Sequence, residues 1–192
     1  GTDFYASFSN NGACSSGQHS SGWMNMASWM DSPASSQSAS VCGTNLKFRD
    51  LTINNEDIYL VGDAEGVSGN DSTGLRDVVI CKSSKSLIDS CKLFGGRLSD
   101  FGFSIDSNAG ELIIGGSFRD KIDAFDITSI DEEDGFVASI NPDDLSFNWA
   151  NRMGGIGEDF ITSVSINDDN NRVIVSGPVS GSGIAGSIEY GN

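Results

Sequence analysis

The chain repeats itself between residues 77–116, DVVICKSSKSLIDSCKLFGGRLSDFGFSIDSNAGELIIGG, and residues 134–177, DGFVASINPDDLSFNWANRMGGIGEDFITSVSINDDNNRVIVSG. Each stretch contains an apolar strand, a polar turn, a second strand that ends in Gly-Gly, and a short loop with an Asp. A third strand, a polar turn and a fourth strand that ends in Gly follow in both. Self-similarity of this kind is the sequence signature of repeat architectures.

Landmark residues at matching positions set the period of the repeat. The Gly-Gly pairs, Gly95-Gly96 and Gly154-Gly155, lie 59 residues apart. The loop aspartates Asp100 and Asp159 are also 59 residues apart, and the strand-ending glycines Gly116 and Gly177 are 61 residues apart. Because the three spacings agree, we define residues 77–116 and 134–177 as the centres of two sequence copies, copy two and copy three.

The residue pattern within each copy predicts an all-β fold. In residues 161–166, Val164 and Ile166 alternate with Ser163 and Ser165, as a half-buried strand requires. Gly is abundant, with 24 residues, and together with Asn, Asp and Ser it favours the tight turns that join short strands. Four short antiparallel strands per copy are typical of one blade of a β-propeller. We therefore expect a propeller-like array of four-stranded blades.

A more divergent copy one precedes the other two, and a short segment follows them. The candidate strands of copy one lie at residues 3–8, 23–25, 51–53 and 58–62, with a Ser-rich insertion at roughly residues 29–48. The predicted segments are a first blade at 1–66, a second at 67–120, a third at 121–181, and the start of a fourth blade or a closing strand at 182–192. Three blades plus one strand leave three arrangements open: a partial propeller whose other blades lie outside this chain, a ring assembled from copies of several chains, and an open stack of blades. The apolar run at residues 173–175 predicts a strand covered on both faces.

The charge of the chain argues against several classes of partner. Its 27 acidic and 11 basic residues give a net charge of −16, which argues against nucleic acid and against attraction to an anionic membrane surface. No apolar run reaches the roughly eighteen residues of a membrane-spanning helix, so no membrane insertion is expected. The chain begins Gly1-Thr2-Asp3, without an initiator Met or a signal segment, which indicates a processed chain or a fragment.

Four cysteines, an even number, permit a disulfide framework. Cys81 and Cys91 stand at the two ends of a predicted hairpin, where two Cα atoms can come within disulfide range. The remaining pair, Cys14 and Cys42, would close the Ser-rich region. The alternative is four free thiols in a cytosolic protein. We favour the oxidising, extracellular compartment.

One oxygen-rich turn raises the question of calcium. Asp106 and Asn108 place oxygen atoms at alternate positions of this turn, which suits a hard cation. The turn lacks the remaining ligands of an EF-hand loop. We therefore favour a plain hairpin turn over a calcium site, and no other cofactor is predicted.

Other candidate residues lie in loops or at the second-strand position. Asn70 lies in the only N-x-[ST] sequon and predicts a glycoprotein. Trp29 lies outside the repeated pattern and is a candidate surface contact, for example with a sugar. Trp23 and Trp149 occupy the second strand of their copies, where we expect core packing. His19 lies in a Ser- and Gly-rich loop with no group to orient it, so we expect no catalytic His19.

The repeated pattern resembles the SBBP class of β-propeller repeats. Copy three carries the matching residues Trp149, Gly154, Gly155, Gly157, Asp159, Ile166, Val173 and Gly177. Copy two carries Gly95, Gly96, Asp100, Ile105, Asp106 and Gly116, with Ser90 in place of the Trp. The resemblance implies a secreted or cell-surface protein used for display or adhesion, and it brings no shared catalytic residues.

The pattern, the composition and the resemblance together predict a non-enzymatic structural or adhesive scaffold in a larger assembly. Its expected partners are other protein chains or copies of itself. One alternative is a module that binds carbohydrate or another ligand. A further alternative is a subdomain of a larger secreted hydrolase or lyase, whose catalytic residues would lie in blades outside this chain.

Overall fold

A computed structural model of the protein describes residues 44–65, 74–84, 87–108, 110–167, 172–185 and 188–190. The strands are β1 (Thr44–Asn54), β2 (Asp57–Glu65), β3 (Arg76–Ser84), β4 (Leu87–Phe94), β5 (Phe101–Ser107), β6 (Leu112–Phe118), β7 (Lys121–Ile122), β8 (Ile127–Thr128), β9 (Asp134–Ile140), β10 (Phe147–Gly155), β11 (Ser163–Asn167), β12 (Arg172–Ser176), β13 (Gly183–Ala185) and β14 (Ile188–Tyr190). Apart from one 3₁₀ turn at Asp123–Phe125, these ranges contain no helix. The all-β prediction is confirmed.

The strands form antiparallel sheets that join neighbouring copies. Sheet one has the order β1-β2-β3-β4, and sheet two has the order β14-β13-β10-β9-β6-β5. Sheet one therefore combines strands three and four of copy one with strands one and two of copy two. Sheet two combines copies two and three in the same way, and β13 and β14 extend its β10 edge. Each sheet thus begins in the middle of one copy and ends in the middle of the next. The four segment bounds given in the sequence analysis, as bounds of separate domains, stay predictions.

The described residues also form two smaller sheets. Strands β11 and β12, which are strands three and four of copy three, form one hairpin, and β7 with β8 form another. The polar turns predicted from the sequence join β1 to β2, β5 to β6 and β11 to β12. In the first of them Asn55 has φ of 57°, a left-handed conformation that Asn tolerates well. Strand β1 begins at Thr44, so the last residues of the predicted insertion at 29–48 belong to a strand, and the rest of it lies outside the described residues.

Sheets one and two pack face to face around a shared apolar cluster. Its buried members are Tyr59, Val61, Val78, Ile80 and Phe94 of sheet one, Ile105, Leu112, Ile114, Phe118, Phe136, Ala138 and Ile140 of sheet two, and Ile122 and Leu145 of the connections. The Phe94 ring meets Phe125, Phe136 and Phe147 edge to face, with centroids 5.3–5.9 Å apart. The opposite face of sheet one carries another buried cluster, Ile58, Leu60, Ala64, Val79 and Cys81.

The opposite face of sheet two packs on the β11–β12 hairpin. Ile113 and Val137 of sheet two form a cluster with residues of copy three, and Val173 and Val175 of β12 pack against it. Ile174, between these valines, points away and is 57% exposed. The prediction that residues 173–175 are covered on both faces is therefore wrong for Ile174, because within the described ranges no further sheet lies on the outer face.

A β-bulge in β10 turns Trp149 away from the core. Phe147 pairs with Ile140 and Trp149 pairs with Ser139, so that Asn148 is an extra residue in the strand. One extra residue moves the following side chains to the other face of a sheet. Phe147 takes the place in the core, and Trp149 is 37% exposed, which corrects the expectation that it packs inside.

Candidate functional site

The loop aspartate of copy two lies at the end of the sheets where β2, β4, β6, β10 and β12 finish, which we call the Gly-Gly end. Asp100 is fully buried. Its Oδ2 accepts a hydrogen bond from the Gly96 N–H at 2.7 Å, and its Oδ1 accepts one from the Arg119 N–H at 3.3 Å. Its own N–H donates to the carbonyl oxygen of Arg76 at 2.9 Å. The side chain and the backbone N–H of Asp100 together thus join three chain segments.

The loop aspartate of copy three makes the equivalent contacts. Asp159 is fully buried and accepts hydrogen bonds from the Gly155 N–H at 2.9 Å and the Ser180 N–H at 2.8 Å. Its N–H donates to the carbonyl oxygen of Glu133 at 2.7 Å. Because the two aspartates occupy matching positions in the sequence, the loop motif has one structural role in both places.

A second buried carboxyl group lies beside Asp100. Asp77 Oδ1 and Asp100 Oδ2 are each 2.5 Å from the point that a Cβ on Gly95 would occupy, so only a glycine leaves room for both. Burial, and to a smaller extent the carboxylates of Asp77 and Glu133, raise the pKa of Asp100 from 3.8 to about 8, against the opposing effect of its backbone hydrogen bonds. Because Asp100 has no exposed surface, it cannot reach a dissolved substrate.

Other buried carboxylates at the Gly-Gly end pair with arginines. Asp63 is fully buried and bonds to Arg49 Nε at 2.6 Å and to the guanidinium of Arg76. Asp134 is also fully buried and bonds to Arg152 at 3.0 Å. Buried charges need such partners to offset the loss of hydration. These acidic residues therefore contact arginines of the same fold and are buried away from solvent.

Polar side chains link the edge strands β1, β5 and β11. Asp50 Oδ2 of β1 accepts a hydrogen bond from the Ile105 N–H of β5 at 3.0 Å, and the Ser104 hydroxyl donates to the same oxygen at 2.9 Å. Asp106 Oδ2 of β5 accepts one from the Ile166 N–H of β11 at 2.7 Å. Edge strands leave N–H groups without ladder partners, and here side chains of the neighbouring edge satisfy them. These links were not predicted, although Asp or Ser at polar positions of the third strand of each copy was a usable signal in the sequence.

The calcium candidates serve the β5–β6 turn. Asp106 Oδ1 accepts a hydrogen bond from the Ser107 N–H at 2.8 Å, and Asn108 Oδ1 accepts two, from Gly110 and Glu111, both at 2.9 Å. Their oxygen atoms are thus directed at backbone groups. Over the ranges that the structure covers, no group of three or more His, Cys, Asp or Glu side chains is placed to hold a metal ion.

The predicted disulfide between Cys81 and Cys91 is present, and it links directly opposed residues of β3 and β4 with Cα atoms 4.1 Å apart. The part of the chain that is described contains no helix of the length and apolar character needed to cross a membrane. Several other residues singled out in the sequence lie outside the described residues, namely Cys14, His19, Trp23, Trp29, Cys42 and Asn70.

Comparison with known proteins does not assign the chain to a family. The sequence matches no family model, and a search of curated proteins finds no similar sequence. The resemblance to SBBP repeats therefore stays a prediction.

Proposed function

We propose that this chain is a non-enzymatic structural or adhesive scaffold, part of a β-propeller of SBBP-type repeats that is secreted or displayed on a cell surface. The observation that supports this proposal most is the placement of the repeated residues. Asp100 and Asp159, the polar landmarks of the repeat, are fully buried and hold loops through backbone hydrogen bonds. Repetition of a residue that cannot meet a ligand favours a role in building the scaffold.

The compartment is supported by the disulfide and the charge. A cross-strand disulfide such as Cys81–Cys91 persists in oxidising compartments and is rare in the cytosol. A net charge of −16 favours solubility. Exposed loops on a rigid stack of sheets then provide the contact surface for other chains.

The test measures the thiol state and the adhesion of the full chain from its natural source. We expect mass spectrometry without reductant to find Cys81 and Cys91 linked, and beads coated with the chain to adhere to extracellular material from that source. Albumin-coated beads are the control. Free thiols at both positions would contradict the extracellular assignment, and adhesion equal to the albumin control would contradict the adhesive role.

The exposure of Trp149 favours carbohydrate binding as the second candidate function. An exposed indole with polar neighbours, here the exposed Asn148 and Asn151, can stack on a sugar ring. We expect binding on a glycan array that Trp149→Ala abolishes if this candidate is correct. The matched variant Phe103→Ala, at an aromatic residue on another strand, should leave such binding intact. A silent array would count against it.

A further inference from the structure

One residue position is covered in two copies and exposed in the third. Three residues each lie three positions before the glycine that ends the fourth strand of their copy: Tyr59 before Gly62, Ile113 before Gly116, and Ile174 before Gly177. Tyr59 is 2% exposed and Ile113 is fully buried, because a following sheet packs on each of them. Ile174 is 57% exposed. The outer face of the β11–β12 hairpin therefore corresponds to a surface that the next copy covers elsewhere in the molecule.

Among the described residues, β12 also lacks a partner strand that the corresponding strands of the other copies have. Strand β2 pairs with β1 and β3, and strand β6 pairs with β5 and β9, whereas β12 pairs only with β11 among the described residues. In both complete cases the outer partner, β3 or β9, is the first strand of the next copy. A strand with an unpaired edge is a template for addition of another strand. The partner that β12 lacks is thus a first strand of the repeat.

Among the described residues, sheets one and two contain the first strands β3 and β9 and the predicted start of the fourth copy, which lies beside β10 as β13 and β14 and not beside β12. Residues 3–8, DFYASF, are the candidate first strand of copy one and lie outside the described residues. Sheet one starts with strands three and four of copy one and takes its other two strands from copy two. The repeat thus offers one first strand in copy one and needs one beside copy three.

The described outer face of the hairpin also carries no acidic side chain. Its cross-strand pairs are Ser163 with Ser176, Ser165 with Ile174 and Asn167 with Arg172, so its one charge is the basic Arg172. Two chains with a net charge of −16 repel each other, so they approach most easily where acidic side chains are absent. This face therefore suits a second copy of the chain.

We propose that residues 3–8 of a second copy pair with the free edge of β12 and cover Ile174, so that copies assemble head to tail. The inference rests on the repeat organisation in the proposed function and names the partner of the assembly. Head-to-tail contacts of this kind produce closed rings when the rotation closes and open filaments when it does not.

The first test compares two exposed isoleucines by sedimentation velocity of the full chain. We expect self-association of the natural chain, and a fall of at least about tenfold in its association constant for Ile174→Lys, because the charge would be buried at the contact. Ile156→Lys, at a loop residue that is 63% exposed, is the matched control and should associate normally. Ser165→Lys, at an exposed polar residue on the same face, should repeat the loss if Ile174→Lys fails to fold.

The second test identifies the occupant by mixing variants. Tyr5→Pro, which removes a backbone donor from the proposed strand, and Ile174→Lys should each be monomeric, while their equimolar mixture should form a heterodimer through one intact contact. Normal association of Tyr5→Pro alone would overturn the proposal in favour of face-to-face pairing. A natural chain that stays monomeric also overturns it, and if that chain keeps its disulfide and adhesion, the proposed scaffold function stands.

Discussion

At the scale of single residues, Asp100 binds a proton more tightly in the folded protein than in the unfolded chain. Its pKa is about 8 in the fold, against 3.8 for the ordinary group, chiefly because burial disfavours the charged form. Between those two pH values the folded state therefore binds more protons than the unfolded state. By linkage, the contribution of Asp100 to stability is fully present below the ordinary pKa and is lost as the pH rises through the folded value.

Asp100→Asn should remove this pH dependence. We expect the free energy of unfolding of the natural chain to fall more steeply between pH 5 and 8 than that of the variant, by up to about 1.4 kcal/mol per pH unit. Urea denaturation at several pH values measures the two slopes. Asp123→Asn, at an exposed carboxylate, serves as the control and should keep the natural slope. Equal slopes for Asp100→Asn and the natural chain would show that Asp100 is not the group responsible.

Gly95→Ala should destabilise the Gly-Gly end. The added Cβ would lie 2.5 Å from carboxylate oxygens of both Asp77 and Asp100, which are buried and cannot easily move aside. Overpacking of this kind costs about 1–3 kcal/mol. The control is Gly110→Ala, where the nearest atom is 3.9 Å away and the expected change is within about 0.5 kcal/mol. Chemical denaturation compares the variants, and similar stabilities for both would contradict the argument.

At the scale of the strands, Asp106 should protect the edge of β11. Asp106→Ala removes the acceptor of the Ile166 N–H, and the loss of a partner for a partly buried donor costs about 1–3 kcal/mol. We expect faster hydrogen exchange at the Ile166 amide. Asp106→Asn, which keeps a carbonyl oxygen, should restore much of the protection. If exchange at Ile166 is unchanged in Asp106→Ala, then the side chain does not hold the edge.

The strands were more predictable than the faces they present. Alternation and turn residues predicted the hairpins from β3 to β6 and from β9 to β12, because both signals act within a few residues. The bulge at Asn148 left no such signal, so the side of the sheet on which Trp149 lies could not be predicted. The short hairpin of β7 and β8 was also missed, since its strands of two residues each contain too few positions for a pattern.

At the scale of the whole molecule, the spacing of Asp100 and Asp159 predicted that two parts of the chain are built alike. It did not predict which hairpins pair. The hairpin β3–β4 joins the preceding hairpin β1–β2, and that choice depends on contacts between residues distant in sequence, such as Val61 with Ile80. For the same reason the buried carboxyl pair of Asp77 and Asp100 could not be predicted, since the two residues meet only when the sheets are assembled.

The links between β1, β5 and β11 determine how the molecule would respond to tension. Within a sheet the strands share a backbone ladder, whereas these edge strands are joined by single side chains such as Asp50 and Asp106. A load applied along the chain should therefore separate the layers one after another before it breaks any sheet. The β11–β12 hairpin should detach first, because it has two strands and one packed face. The Cys81–Cys91 disulfide would keep the chain between these residues from extending, so sheet one should release less length than sheet two.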